Sequence, residues 1–439
     1  METAVKELTI SLCKGLILGN TKVSLNTMKL KVKVLICPLT GSLGMWRLGF
    51  FFHEMAFGLL SVFLPLYVMS IGGSLIYIGV MSASALFLAI PFSFFWGYIC
   101  DKTRRYKRYI LLSFLSLTVI LYLFTATANI KLLIILYAIM SIFHVAHESP
   151  KNVLIAESYP HEEWGKAFAF YEAFTEAGWL IGLLLGFSVS TYGLDARSTL
   201  LLCSMLNLAA FASSLLLVTD PPLIFERGLV NIEKTVDFAY RGIAVASKLL
   251  DGIPTTERLH RENAYAFCSG LVLFSLATSI LFTPLPIFFS RDLAIPAKLV
   301  FAIFVLSSCG GVSGYLLAWS KSQQSTAKAH ISKIVAFRGI LAILLMAAVQ
   351  IPSYEVVLAT VILTLMGFAY ALFLVYTLSI SMELIPEGKS GLFNALVGVG
   401  GACGSFIGPF LAQIMGFTYI FTLTSIIFFS AYVAFKIFT

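Results

Sequence analysis

The chain has 439 residues, of which 59% are hydrophobic and only 12% charged, and its mean hydropathy is +0.92. A water-soluble domain carries about 25% charged residues, so a soluble globular protein is excluded. The net charge of +8 lies in the segments between apolar stretches, which argues for membrane loops and against a nucleic-acid-binding face.

Residues 1–43 form a leader bearing six lysines, with short apolar pieces and no cleavage-site pattern. It reads as a basic cytoplasmic leader without fixed structure, and Met28 and Met45 are alternative starts. Twelve apolar stretches follow, predicted as helices over 45–70, 74–99, 108–128, 131–157, 165–190, 198–219, 264–289, 297–319, 332–351, 354–382, 391–416 and 417–437. Each approaches the roughly 20 residues that a helix needs to cross about 30 Å of hydrocarbon. They are too long and too uniformly apolar for barrel strands, which alternate over about ten residues. The prediction is therefore an all-α membrane protein of twelve transmembrane helices: a six-helix bundle over 44–219, a linker over 220–263 with an amphipathic helix within Leu229 to Leu250, and a second six-helix bundle over 264–439.

Two further patterns organise the chain. If both termini are cytoplasmic, 26 of the 30 lysines and arginines fall on the cytoplasmic side, leaving only Lys131, Arg197, Arg291 and Lys298 outside. That bias sets the expected orientation. The halves also repeat: at an offset of 226, Glu157 meets Glu383, Pro160 meets Pro386, Gly165 meets Gly391, Gly178 meets Gly404 and Gly182 meets Gly408. Parallel six-helix repeats are a transporter architecture, with substrate bound between the halves near the midplane.

Between the second and third helices lies WGYICDKTRRYKR, Trp96 to Arg108, read as a basic loop. It resembles the signature of the major facilitator superfamily, G-x-x-x-D-[RK]-x-G-R-[RK], through Gly97, Asp101, Lys102 and Arg105. Arg104 stands where the second glycine belongs, and Tyr106 where the last cation belongs. The stretch Pro160–Gly165 and its copy Pro386–Gly391 are also similar to that family. The resemblance covers about 45–439. It implies that Asp101 docks near a neighbouring helix end and helps to latch a cytoplasmic gate, a helix N-terminus favouring a carboxylate by about 0.3–1 kcal/mol. Arg104 bears on the turn, because glycine is the residue that adopts positive φ cheaply. The second half keeps Gly314-Tyr315 but has Ala318 where Asp101 would stand, so the latch is one-sided.

Ionisable residues inside the apolar stretches cost about 2.5–3.5 kcal/mol each at a helix centre on insertion scales, and therefore face protein or water. His144, His147, Glu148 and Lys151 form one stripe on the fourth helix, Glu172 and Glu176 share a face of the fifth, and His53 and Glu54 lie on the first. His53, Glu54, His144, His147, Glu148, Glu172 and Glu176 are the candidate proton-coupling and substrate-cavity residues, with a static ion-pair cluster as the competing reading. Glu54 and Glu148 lead, since the resemblance places their helices at the cavity and the fifth helix nearer its periphery. Arg47 and Lys151 are explained by snorkelling near helix ends. The second half offers hydroxyls, aromatics and Asn394 but no intramembrane charge. Gly178, Gly182, Gly186, Gly404 and Gly408 read first as close helix packing and second as resembling the family's exporter glycine motif. Pro284 and Pro286 break the seventh helix. The cysteines have no paired spacing, so no disulfide framework and no metal site is expected, and no cofactor motif is read.

The resulting expectation is a monomeric, proton-coupled exporter of small drug-like or metabolite compounds in the plasma membrane, with the lipid bilayer and protons as partners. The alternatives are a proton-coupled uptake symporter for a sugar or organic acid, and a non-transporting receptor on the same fold. A membrane-embedded enzyme is set aside, because His144, His147 and Glu148 read HxxHE and lack the zinc-protease spacing HExxH.

Overall fold

The fold is taken from a computed structural model, described over residues 44–159, 164–220, 264–321, 327–351, 354–384 and 391–438. The leader 1–43, the amphipathic segment of the linker, Pro160 and Pro386 lie outside the described residues. Among the described residues, twelve helices have the length and apolarity to cross a membrane: α1 Arg47–Ser70, α2 Leu75–Thr103, α3 Tyr106–Phe124, α4 Ile130–Ile155, α5 Gly165–Tyr192, α6 Ala196–Leu217, α7 Ala264–Asp292, α8 Ala297–Ser320, α9 His330–Ala348, α10 Glu355–Ser381, α11 Phe393–Met415 and α12 Phe417–Phe438. No strand occurs among the described residues.

The two halves repeat in their packing. In the first, α1 packs on α5 and α6, α3 on α4 and α6, and α2 on α4. In the second, α7 packs on α11 and α12, α9 on α10 and α12, and α8 on α10. Two seams join them, α5 against α8 and α2 against α11. Glycine permits the close approaches. A Cβ at Gly178 would stand 2.6 Å from the Phe51 carbonyl oxygen of α1, and one at Gly182 would overlap the carbonyl of Met55. On α11, a Cβ at Gly404 or Gly408 would overlap the carbonyl of Leu276 or Ile280 on α7. Apolar side chains gain nothing by leaving lipid for one another, so such backbone-to-backbone contact is what holds membrane helices together. Gly186 faces the other way, onto the Phe301 ring of α8.

Prolines set the irregularities. Pro150 cannot donate to the carbonyl of Ala146, and α4 tightens into a 3-10 turn over Val145–His147 just before it. Pro284 likewise frees the carbonyl of Ile280. The α-helical part of α7 ends at Phe282, and the span continues through the short turn Leu285–Ile287 into a π turn over Phe288–Asp292.

The structure revises the basic loop. Helix α2 does not end near residue 99 but runs to Thr103, so the link to α3 is only Arg104 and Arg105. Arg104 closes α2 in the left-handed conformation, φ 53° and ψ 29°, its N–H donating to the Cys100 carbonyl at 2.8 Å. The turn that glycine would make is thus made by arginine, at a cost of about 1–2 kcal/mol.

Candidate functional site: a polar chain from the core of the first half to the seam

The chain begins on α1, where His53 is fully buried. Its Nδ1 lies 2.8 Å from Oδ1 of Asn207 on α6. The amide of Asn207 is oriented by Nδ2 donating to the Cys203 carbonyl at 3.1 Å, so Oδ1 is the acceptor and His53 carries its proton on Nδ1. The 3-10 turn brings His144 and His147 to the same place. The three imidazole centroids are 4.8–5.1 Å apart, enclosed by Phe50, Phe57 and Phe114. Ser113 of α3 stands 3.1 Å from Nδ1 of His147.

From the histidines the chain passes outward. Nε2 of His147 is 3.4 Å from Oε1 of Glu148, whose Oε2 pairs with Lys151. Lys151 is 12% exposed and lies 5.4 Å from the centre of the Tyr171 ring. It is a paired, partly buried cation rather than a snorkelling one. Glu54 is partly buried beside α5, within electrostatic reach of Glu148, Lys151, Glu172 and Glu176.

The two acids of α5 face the second half. Oε1 of Glu176 accepts from the Ser308 hydroxyl of α8 at 2.7 Å. A Cβ at Gly311 would come within 3.1 Å of that same oxygen, so glycine there leaves the carboxylate its room. Glu172 lines a small pocket with Gly165 and Phe168 of α5 and Val375, Leu378 and Ser379 of α10. Helix α5 therefore stands at the seam, and Glu176 reaches across it to α8. Ser113, Asn207, Ser308 and Gly311 were not singled out from sequence. The lone amide of α6 and the run Ser307-Ser308-Cys309-Gly310-Gly311 were the available signals, since polar and small residues inside a span face protein.

Other expectations change. Arg47 does not snorkel: it is fully buried, donates to the Tyr159 hydroxyl at 2.7 Å and lies 5.1–5.6 Å from the ring centres of Trp46, Tyr159 and Phe170. The second half does contain an intramembrane charge. Arg338, read from sequence as one of the 26 cytoplasmic-side cations, at the loop between the eighth and ninth helices, is fully buried in the middle of α9 and sits 4.9–5.7 Å from the ring centres of Phe274, Phe282, Tyr370 and Phe428. Removing it from the cation count leaves the bias intact. In the signature, Asp101 is exposed, Lys102 lies over the Tyr98 ring, and Gly97 packs near Ser149. The carboxylate at the start of α3 is that of Asp220, whose Oδ1 accepts from the Lys107 N–H at 2.8 Å.

Comparison with known proteins agrees with this architecture. Two curated relatives match parts of the chain: an uncharacterized MFS-type transporter of Methanocaldococcus jannaschii, 26% identical over 33% of this chain and 36% of its own, and the multidrug resistance protein MdtG of Enterobacter lignolyticus, 33% identical over 37% of this chain and 41% of its own. The matches thus span well under half the length of either relative. Two solved structures share the fold at 14% identity. The human organic anion transporter TETRAN has a TM-score of 0.65 over 90% of this chain and 98% of its own, and a mutant of the nucleoside transporter NupG has a TM-score of 0.67 over 91% and 100%. The model of one family matches residues 48–409, so this multi-pass chain belongs to the Major Facilitator Superfamily.

Proposed function

We propose that the chain is a secondary transporter that moves a small solute by alternating access between its halves, with protons as the coupling ion. The observation that carries this reading is the placement of Glu172 and Glu176 at the seam, one hydrogen-bonded to Ser308 across it and the other facing α10. Rocking of the halves exchanges these protein surroundings for water, and a carboxyl group so exchanged changes its proton affinity. Glu54 and Glu148 contribute the field: Glu54 lies within electrostatic reach of three other acids and one lysine, Lys151, and a proton offsets part of the excess negative charge. The histidines are assigned no part in coupling, because they pack against one another and against aromatic rings within the first half, away from the seams.

The direction we propose is export of drug-like or metabolite compounds, supported by the stretch shared with a protein named for multidrug resistance. The cation bias supports cytoplasmic termini. A monomer in the plasma membrane completes the proposal. Uptake of an organic acid would call for a cation in the cavity, and Arg338 does not supply one, since aromatic rings enclose it.

A thermal-shift screen of the purified chain against drugs, nucleosides, sugars and organic acids at two pH values identifies the substrate class by mass action. That compound is then followed in proteoliposomes under an imposed pH gradient. Wild-type protein should move it against the proton flow. The double variant Glu172→Gln/Glu176→Gln should lose the gradient response while still exchanging substrate without one. An unchanged gradient response in the double variant would overturn the coupling assignment, and accumulation along the proton flow would favour the symporter.

A further inference from the structure

Three of the chain's six histidines converge at one point, His53 and His147 buried and His144 half-buried, and the proposed transport cycle does not use them. We propose that His53, His144 and His147 bind a divalent transition metal of the zinc class, as a resident site that ties α1 to α4. One ligating nitrogen from each residue lies within 4.8 Å of the other two. Tetrahedral coordination with Zn–N bonds of about 2.0–2.1 Å places the nitrogens roughly 3.4 Å apart, so modest rotation of the rings closes the set.

Three independent features point to a ligand. First, Nε2 of His53 and Nδ1 of His144 are buried and have no hydrogen-bond partner among the described residues. Buried ring nitrogens left unpaired are costly, and a metal would satisfy both. Second, the outer groups are arranged as around known histidine–metal sites, where the ring nitrogen away from the metal is held by a neighbour. Asn207 fixes the His53 tautomer that leaves Nε2 with its lone pair. Ser113, whose hydroxyl is 3.4 Å from the His144 carbonyl, can accept from Nδ1–H of His147 and leave Nε2 free. Third, that Nε2 lies 3.4 Å from Oε1 of Glu148, so a carboxylate stands next to one of the three imidazoles and supplies negative charge close to a bound cation.

The donor chemistry selects the ion. Neutral imidazoles suit Zn2+, Co2+, Ni2+ and Cu2+, whereas Mg2+ and Ca2+ prefer oxygen cages. The location selects its role. The trio lies within the first half, bounded by α1, α3, α4 and α6, whereas cargo in this architecture binds between the halves. The metal would pin α4 across its 3-10 turn, upstream of the Glu148–Lys151 pair. This inference does not depend on proton coupling or on the transported solute.

The test uses the full-length, tag-free chain in detergent, stripped with a chelator and titrated with CoCl2. The expected result is one equivalent bound per chain at micromolar concentration, with the visible d–d bands of four-coordinate Co2+, displaced by ZnCl2. ZnCl2 should also raise the thermal transition, and MgCl2 at the same concentration should not. His53→Gln and His144→Gln should each weaken binding at least 100-fold, and Asn207→Ala about 10–100-fold. Should these variants fold poorly, X-ray absorption of the zinc-loaded wild type decides, with three imidazole nitrogens in its shell expected. No binding by the wild type, an equal shift with MgCl2, binding that survives in His53→Gln/His144→Gln, or a shell without three imidazoles would each overturn the site.

Discussion

The two halves share a backbone frame and differ in what fills it. Glycines at the same offset, Gly178 and Gly182 against α1 and Gly404 and Gly408 against α7, bring equivalent helix pairs to equivalent distances. The positions that match Glu172 and Glu176 at that offset are Gly398 and Ala402. One seam, α5 with α8, therefore carries an acid bonded to a hydroxyl, whereas at the other, α2 with α11, Gly398 faces Ile90 and Gly79 faces Pro409. A repeat constrains packing, where a misplaced methyl group collides with a carbonyl. It leaves side chains that line the seams free to diverge, and the ionisable groups at the seam have collected on one side.

The largest expected effect tests the shared frame. Gly182→Leu and Gly408→Leu each drive a side chain into a neighbouring carbonyl, Met55 in one half and Ile280 in the other. Overpacking costs about 1–3 kcal/mol where neighbours can shift and more where the obstacle is backbone. Both variants should lose about 3 kcal/mol or more of stability in detergent thermal unfolding, and by similar amounts. A variant that unfolds like wild type in one half alone would break the equivalence of the halves.

A middle-sized effect tests their difference. Among the described residues Arg338 holds one hydrogen bond, Nη1 to Thr278 at 3.2 Å, and is otherwise surrounded by rings. Arg338→Lys keeps the buried charge but replaces a planar, weakly hydrated guanidinium with a strongly hydrated point charge that cannot stack. Loss of cation–π contact worth about 0.5–2 kcal/mol should lower the unfolding temperature while leaving the flux response to a pH gradient unaltered. A lost gradient response with unchanged stability would move Arg338 into the coupling machinery and remove the asymmetry.

The twelve spans and the repeat were legible because lipid imposes a coarse rule, long apolar runs bounded by charge, and because glycine has no substitute where backbones touch. Pairings were not legible. Glu176 with Ser308 and His53 with Asn207 join residues 132 and 154 positions apart, and helical periodicity carries no information about which face meets which partner. The histidine stripe was visible along α4, yet its third member comes from α1, so the trio appears only when the helices pack. Arg338 was misplaced for a local reason. The ninth helix was predicted from 332, whereas helical structure begins at Ala327. Five residues at about 1.5 Å each move the guanidinium roughly 7.5 Å along the helix, from a loop margin into the core. Charged residues ended the second predicted helix early for a similar reason: outside hydrocarbon a helix continues through Asp101 and Lys102 at little cost.

The smallest effect concerns the turn between α2 and α3. Arg104 adopts φ 53° without the freedom of glycine. It is partly buried, and its main-chain N–H bond to Cys100 does not require a particular side chain. Arg104→Gly restores the residue that the family signature carries there and removes the left-handed strain. Against this stand the greater flexibility of glycine in the unfolded chain and the loss of one cation from a dense group. Strain relief of about 1–2 kcal/mol exceeds the entropic term of about 0.4–1 kcal/mol, so the variant should be more stable by up to about 1 kcal/mol. The corresponding rise in unfolding temperature is a few degrees at most and needs matched detergent and lipid. A clear fall would mean that the guanidinium itself holds the turn, and the departure from the signature would then be a compensated feature of the first half with no counterpart in the second.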